Sequence, residues 1–355
     1  MNKEMRTHIR WVFWFVFCAW VILVMSCKKE VAGETEKIQP VIITEPVPHD
    51  SDDPAIWYNK EQPEESLILG TDKELGGGLY VFDLEGRIDT GRSVLNLGYP
   101  NNVDVEYDVR LNDSTFIDIA VTGERPLGRL RAFALPDMTP MDGGGWPVFE
   151  TEKDSSLRRP MGVAMYRHPD SGKAYVIVSR KSGPTDGSYL WQYEIVPGDS
   201  TPLQLNLVRK FGAFSGGESE IEAIMVDDTL GYVYYSDEYD AVHKYHADPA
   251  RGDSSVAVFG QDGFAEDREG IALWPESKGQ GKIIVSNQQD HNFYIYERNP
   301  DNHQHERVAT WYGSTEETDG CEILARPLGE KFPKGIFVAM SEGRVFHVYD
   351  LRDLE

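Results

Sequence analysis

An all-β fold, a propeller or a large sandwich, is what the sequence predicts, and three observations lead there. Short runs rich in β-branched and aromatic residues recur between turn signals from Pro54 onward. No stretch holds a 3.6-residue apolar period for long. Roughly 300 residues remain for the fold, and many even-sized strands in a chain of that size favour the propeller.

The runs follow in order: Ala55–Tyr58, Ser66–Leu69, Leu79–Phe82, Phe116–Val121, Ala174–Val178, Tyr189–Tyr193, Tyr232–Tyr235, Lys282–Val285, Phe293–Tyr296 and Gly335–Ala339. Many are followed within two or three residues by Gly, Asp, Asn or Pro, which turn the chain. Val233–Tyr235 and Ala241–Tyr245 read as adjacent strands of one hairpin. No residue signature recurs strictly, so the repeat shows in outline only. Ligands of such folds bind where loops converge at the central channel, which makes polar residues at strand ends the candidates for chemistry.

With 17 Tyr, 15 Phe and 8 Trp among 355 residues, the chain has ample material for a core, and disorder is excluded. Lys and Arg number 35 against 59 Asp and Glu, a formal charge of −24. A field of that sign repels phosphate backbones, so nucleic acid is not an expected partner. The protein handles cations, or handles anions with cations as intermediaries.

Residues 1–10 carry Lys3, Arg6 and Arg10, and an uncharged apolar run follows from Trp11 to Met25. The run is shorter than the roughly 20 residues of a spanning helix, and basic-then-apolar order reads as a secretory signal or an uncleaved N-terminal anchor. Its end, Val24-Met25-Ser26-Cys27, resembles a bacterial lipoprotein signal, which implies lipidation of Cys27, export, and attachment to a bacterial membrane through lipid alone, at the outer membrane or cell surface. Removing residues 1–26 takes away three basic residues and one acidic residue and leaves a charge of −26. Cys18 would leave with the signal, so Cys321 remains as a single thiol, expected in the core, and no internal disulfide is available. The expected organisation is a signal over 1–26, a flexible tether over 27–47 and a propeller over 48–355, acting as a monomer.

Acidic residues gather at strand ends. Asp50, Asp52 and Asp53 precede the first run, Asn101-Asn102-Val103-Asp104 follows a Gly-Tyr-Pro turn, and Glu222 follows the 216–220 loop. Asp237 and Glu238 follow a strand, Asp267-Arg268-Glu269-Gly270 opens another, and Glu316-Glu317-Thr318-Asp319-Gly320 precedes Cys321. Any one cluster reads as a solvated loop. Together they offer the hard oxygens that Ca²⁺ takes six to eight at a time in flexible geometry.

In order along the chain, Asp52–Trp57, Gly70–Lys73, Gly78–Gly86, Asn101–Asp104, Asp267–Gly270, Tyr294–Arg298, Thr318–Gly320 and Phe332–Ala339 form blocks by which the sequence resembles the β-propeller phytases. The resemblance implies a six-bladed propeller and calcium-dependent hydrolysis of phytate or lower inositol phosphates. It implies calcium ligands at Asp52, Glu222, Glu269 and Asp319, with Asp53, Asp104, Asp267, Asp237 and Glu238 around them. It implies phosphate-holding and catalytic cations at Lys73, Arg125 and Lys181, with Glu222 also catalytic. The charge logic agrees. A protein of this sign meets a polyanion only where bound cations invert the local field, and Arg forks and Lys point charges then grip phosphate oxygens.

The resemblance also has gaps. The family often has a second Lys where Glu74 stands, a Tyr at Met161, an Asp at Gly313 and a Gly at Ala223, and its final loop is longer than Met340–Gly343. These departures predict weaker phytate binding, or a preference for less phosphorylated inositol phosphates. Glu316 or Glu317 stands near enough in sequence to Gly313 to substitute. Two other readings share the acidic loops: a metal-dependent propeller lactonase, which has no need of the Lys/Arg trio, and a surface propeller that binds phosphorylated ligands without turning them over.

Overall fold

Six antiparallel sheets follow one another along residues 37–355, the part of the chain that the computed structural model describes. A two-residue strand, β1 (Ile42–Ile43), comes first. Blade 1 is β2 (Ser51–Trp57), β3 (Leu67–Asp72), β4 (Leu75–Phe82) and β5 (Val94–Gly98). Blade 2 is β6 (Val103–Arg110), β7 (Phe116–Glu124) and β8 (Arg129–Ala134), edged by the short β9 (Thr139–Pro140) and β10 (Trp146–Pro147). Blade 3 is β11 (Pro160–Arg167), β12 (Ala174–Arg180), β13 (Leu190–Pro197) and β14 (Leu203–Phe211). Blade 4 is β15 (Ile224–Asp227), β16 (Tyr232–Asp237), β17 (Ala241–His246) and β18 (Ala257–Phe259). Blade 5 is β19 (Arg268–Pro275), β20 (Gly281–Asn287), β21 (Asn292–Glu297) and β22 (Arg307–Trp311). Blade 6 is β23 (Cys321–Leu324), β24 (Ile336–Ser341) and β25 (Val345–Asp350), completed by β1. The first strand of each blade packs against the first strand of the next, and β23 returns to β2, so the ring is closed around a central channel. The expected hairpin is present, with Val233 opposite Tyr245 and Tyr235 opposite His243.

Closure explains why the strands read as continuous apolar runs. Successive side chains on a strand point to opposite faces, and in a propeller both faces are covered by neighbouring blades. On β2, Ala55 joins the core shared with blade 2 while Ile56 joins the core shared with blade 6. On β12, Val176 and Val178 face blade 2 while Ile177 faces blade 4. One apolar cluster fills each of the six gaps.

The structure also shows a repeat that is hard to see in the sequence. The second strand of each blade ends near a hydroxyl residue: Thr71, Thr122, Ser179, Ser236, Ser286 or Ser341. Each hydroxyl bonds the backbone at or just before the start of an innermost strand. Thr122 Oγ1 donates to Asn102 O, Ser236 Oγ to Glu269 O and Ser286 Oγ to Thr318 O, while the amides of Asp53, Gly162 and Glu316 donate to Thr71, Ser179 and Ser341. Two residues after each hydroxyl come Lys73, Glu124, Lys181, Glu238, Gln288 and Gly343, which makes these equivalent positions around one mouth of the channel.

Part of the stretch expected as a tether belongs to the ring. Ile42 and Ile43 pair with Val348 and His347, and amides of Ile38, Val41, Thr44, Glu45 and Val47 donate to carbonyls of Tyr312, Val348, Phe346, Gly86 and Arg344. The polar, proline-containing composition suggested a linker, but β25 would otherwise leave its outer backbone groups unpaired, and this segment covers them. The signal segment and Cys27 lie outside the described residues.

Blades 4 and 5 are latched by a buried cation. The Lys244 ammonium sits 3.2 Å from His303 Nδ1 and 3.2 Å from His305 Nε2, with the Tyr232 ring 4.0 Å away. His305 donates from Nδ1 to the Glu297 carbonyl, so its Nε2 accepts from Lys244. Tyr234 and Phe259 pack around the same imidazole. Burial, and after it Lys244, hold His305 down at about 4 and His303 below its usual value. The unfolded chain binds more protons between pH 4 and 6.5, so stability falls as pH drops through that window. Thermal unfolding is expected to show a loss of up to roughly 3 kcal/mol between pH 7 and 4 from His305, and His305→Gln should flatten that slope. An unchanged slope would exclude His305 as its source.

Candidate active site

Lys73 follows β3 and reaches across the mouth of the channel to the first strand of its own blade and to the segments that lead into blades 4 and 6. Its Nζ lies 2.5 Å from Asp52 Oδ1, 3.5 Å from Asp319 Oδ2 and 3.9 Å from Glu222 Oε2. Burial opposes the ammonium charge, but Asp52, Glu222 and Asp319 outweigh it and hold Lys73 well above its usual value. Two glycines let the blades come this close. A Cβ on Gly162 would fall 2.0 Å from the carbonyl oxygen of Glu222, and one on Gly320 would fall 2.3 Å from Asp53 Oδ1. Larger residues at either place would push the acidic loops apart.

The acids go well beyond what Lys73 neutralises. Burial first, then Glu222 and Glu238, raises Glu269 well above the usual carboxyl range, and its Oε2 is buried without a hydrogen-bond partner. Burial first, then Glu222, Glu220 and Asp267, pushes Glu238 up to about 8. Burial raises Asp319 to about 6 against the pull of Lys73. Oxygens of Glu220, Glu222 and Glu238 lie within 4.8 Å of one another. An all-oxygen set of carboxylates, with a buried oxygen left unpartnered, is compatible with a hard divalent cation such as Ca²⁺ and unsuited to metals that seek sulfur or nitrogen.

The other two expected cations stand beside this cluster. Lys181 follows β12 and ion-pairs with Glu220 Oε1. Arg125, after β7, donates from Nη2 to Asn101 Oδ1 and lies 5.7 Å from the Tyr99 ring, while its Nε has no partner. Tyr99 holds a left-handed φ of 45°, a strained backbone for an aromatic residue, and its amide donates to the Glu74 carbonyl. The structure thus brings Asp52, Lys73, Arg125, Lys181, Glu222, Glu238, Glu269 and Asp319 to one mouth of the channel.

The remaining expected ligands sit differently. Asp53 and Asp104 line the channel itself, in a cavity of about 290 Å³ shared with Asn102, Glu322 and Asp228. Asp53 accepts from the Val103 amide, and Asp104 from the amides of Val105 and Met165. Both oxygens of Asp237 are engaged by Ser215 and Ser219, so Asp237 braces the 215–219 loop. Asp267 Oδ2 accepts from Gln289, and its Oδ1 is buried and unpartnered. Gly313 pairs with Ile38 at the rim of the ring, Glu316 is exposed, and Glu317 faces His291 at 3.9 Å, so none of the three stands in the Lys73 cluster. Met161 is fully buried. Cys321 lies in the channel wall, where burial raises its thiol well above the usual value.

Sequence reading passed over Glu220. Its signal was present, because Glu220-Ile221-Glu222 in extended chain places both carboxylates on one side and Ile221 on the other.

The chain is similar to known proteins over most of its length. The family model described as phytase matches residues 11–347. A 3-phytase of Bacillus subtilis (strain 168) is 30% identical over 301 residues, which span 81% of this chain and 74% of that protein. The crystal structure of regucalcin, a calcium-binding protein of Agrobacterium tumefaciens, shares the fold at a TM-score of 0.53 and 11% identity, covering 89% of this chain and 95% of that one. The Dos1 propeller aligns at a TM-score of 0.45 and 11% identity, over 85% of this chain and 67% of that one. A family match that runs from near the start of the chain into β25, together with the likeness to a 3-phytase, shows that the chain belongs to the phytase family and is a phosphatase.

Proposed function

We propose that the chain is a calcium-dependent phosphomonoesterase that acts on phytate or lower inositol phosphates by direct attack of water. The observation that carries this reading is the position of Lys73 among Asp52, Glu222 and Asp319, with Lys181 and Arg125 alongside. Asp52, Glu222, Glu238, Glu269 and Asp319 would hold the cation. Bound there, Ca²⁺ supplies the positive charge that a polyanion needs and makes a water more acidic. Arg125, oriented by Asn101, offers a planar fork to two phosphate oxygens. Lys73 and Lys181 act as compact charges on oxygens that gain negative charge in the transition state. Cys321 is 4% exposed and burial holds its thiol well above the usual value, which suits it poorly as a nucleophile. A lactonase would have no use for these three cations, and the family match sets that reading aside.

The test is orthophosphate release from phytate and from inositol tri- and tetrakisphosphates in calcium. Glu74 lies next to Lys73 where another cation would help a crowded polyanion, and Met161 offers no hydroxyl. The expected result is a kcat/KM for the lower phosphates at least as high as that for phytate. A strong preference for phytate would overturn the idea of a weakened second phosphate site, and no release from any of them would overturn the function.

We also propose export and lipid attachment at Cys27, supported by the basic and apolar pattern before it. Cells fed radiolabelled palmitate should label the protein, and Cys27→Ala should abolish the label. Equal labelling of both forms would exclude lipid at this residue.

A further inference from the structure

Glu220 has two partners of opposite kind. Its Oε1 is ion-paired with the Lys181 ammonium, and a Glu220 oxygen also lies within 4.8 Å of oxygens of Glu222 and Glu238. The backbone beneath it is fixed. The Glu220 amide donates to Glu238 Oε2 at 3.1 Å, and the Glu238 amide donates to the Glu220 carbonyl at 3.2 Å. Ile221, next in the chain, is fully buried in the core between blades 3 and 4, and its carbonyl accepts from Ser179 Oγ. Rotation about the side-chain bonds therefore moves the carboxylate while the loop stays in place.

Around it, the cluster offers carboxylate oxygens suited to a hard cation. Glu269 is 6% exposed, its Oε2 has no partner, and the charges of Glu222, Glu238 and Asp319 act on it against the weaker pull of Lys73. Lys73 lies nearest Asp52 and Asp319, at 2.5 and 3.5 Å, and farther from Glu222, at 3.9 Å. A divalent ion entering among Glu222, Glu238 and Glu269 would draw the Glu220 carboxylate more strongly than one ammonium does, since a double charge meets it at similar range.

We propose that Glu220 is a shared ligand that couples cation loading to phosphate capture. In the cation-free protein it neutralises Lys181. With a divalent cation bound beside Glu222 and Glu238 it turns to that ion, and Lys181 is released to hold a phosphate oxygen. The inference rests on the calcium reading above and adds to it a residue and an order of events. By linkage, the cation must raise the affinity for a phosphate-like anion by the same factor as the anion raises affinity for the cation.

Calorimetric titration of the full chain tests this, with Ca²⁺ and inositol hexasulfate as probes, each measured with and without the other. In the unsubstituted protein each probe should tighten the other by about tenfold. Glu220→Gln should weaken Ca²⁺ binding by about tenfold, strengthen anion binding without calcium, and bring the coupling factor close to one. Lys181→Met should tighten Ca²⁺ several-fold, because Glu220 is then held by nothing else. That opposite sign is what a merely structural role would not produce, and it does not depend on Glu220→Gln folding. Ca²⁺ affinity and coupling unchanged in Glu220→Gln, or Ca²⁺ affinity unchanged in Lys181→Met, overturns the shared-ligand inference alone. Absence of Ca²⁺ binding in the unsubstituted protein overturns the calcium reading beneath it.

Discussion

Lys73→Met is expected to lower kcat for orthophosphate release by about 10²–10³-fold or more, the usual effect of removing one preorganised charge from a phosphoryl or acyl site. Two losses combine. The variant has no ammonium to meet the developing charge on phosphate, and it leaves Asp52, Glu222 and Asp319 facing one another without the cation that now separates them. Asp52 is 1% exposed, so water cannot take over. Removing one partner of such a buried pair costs about 3–5 kcal/mol, and the unfolding midpoint should fall, most of all in chelator. Lys73→Arg should not restore the rate, because a planar fork does not fit a point surrounded by three carboxylates. Steady-state kinetics with calcium present would check this, and a rate within fivefold of the unsubstituted enzyme would remove Lys73 from the site.

Chelation of divalent metal is the second large effect. Carboxylates outnumber cations at the channel mouth, burial and mutual repulsion hold Glu238 and Glu269 above their usual range, and a polyanionic substrate would add charge of the same sign. Phosphate release in a calcium chelator is expected to fall below about 1% of the calcium value, in line with the several kcal/mol that a metal contributes to phosphoryl transfer. The unfolding midpoint should fall with it, since an ion at a hundred times its dissociation constant adds about 2.7 kcal/mol to stability. Ca²⁺ should restore both, and Mg²⁺ less well, because a small ion that demands octahedral geometry fits this irregular ring poorly. Undiminished phosphate release in chelator would sink the calcium reading.

What the sequence shows and hides follows from the geometry of the ring. Runs such as Ala174–Val178 are legible because both faces of β12 are buried. The blade number is not legible from the residues alone. Its marker is one hydroxyl per blade, set in Thr-Asp-Lys, Thr-Gly-Glu, Ser-Arg-Lys, Ser-Asp-Glu, Ser-Asn-Gln and Ser-Glu-Gly, and only the hydroxyl's bond to a distant backbone is common to them. The resemblance pointed to six.

At the site, strand ends were the right places to look, and Asp52, Lys73, Glu222 and Asp319 meet there. Which oxygens remain available was not readable. Asp237 looks like a ligand until Ser215 and Ser219, from another loop, are seen to occupy it. Glu316 and Glu317 look like substitutes for a missing Asp until Gly313, beside Ile38, is seen to lie where a side chain would meet Tyr349 and Phe293 and not the Lys73 cluster. Ile42 and Ile43 were hidden by the prolines and acids around them.

The strand at Ile42–Ile43 has a consequence for how the molecule is made. It leaves the ribosome some three hundred residues before its partners at Val348 and His347. Five blades can assemble as they emerge, but the ring stays open, with β25 unborn and the channel mouth unassembled, until these two segments find each other. Joining segments some three hundred residues apart requires a loop-closure entropy that must be met before the closing contacts form, which makes this a slow step. A nascent chain cut short between Gly320 and Val345 would therefore carry the acids and all three cations of the site and still leave the ring open.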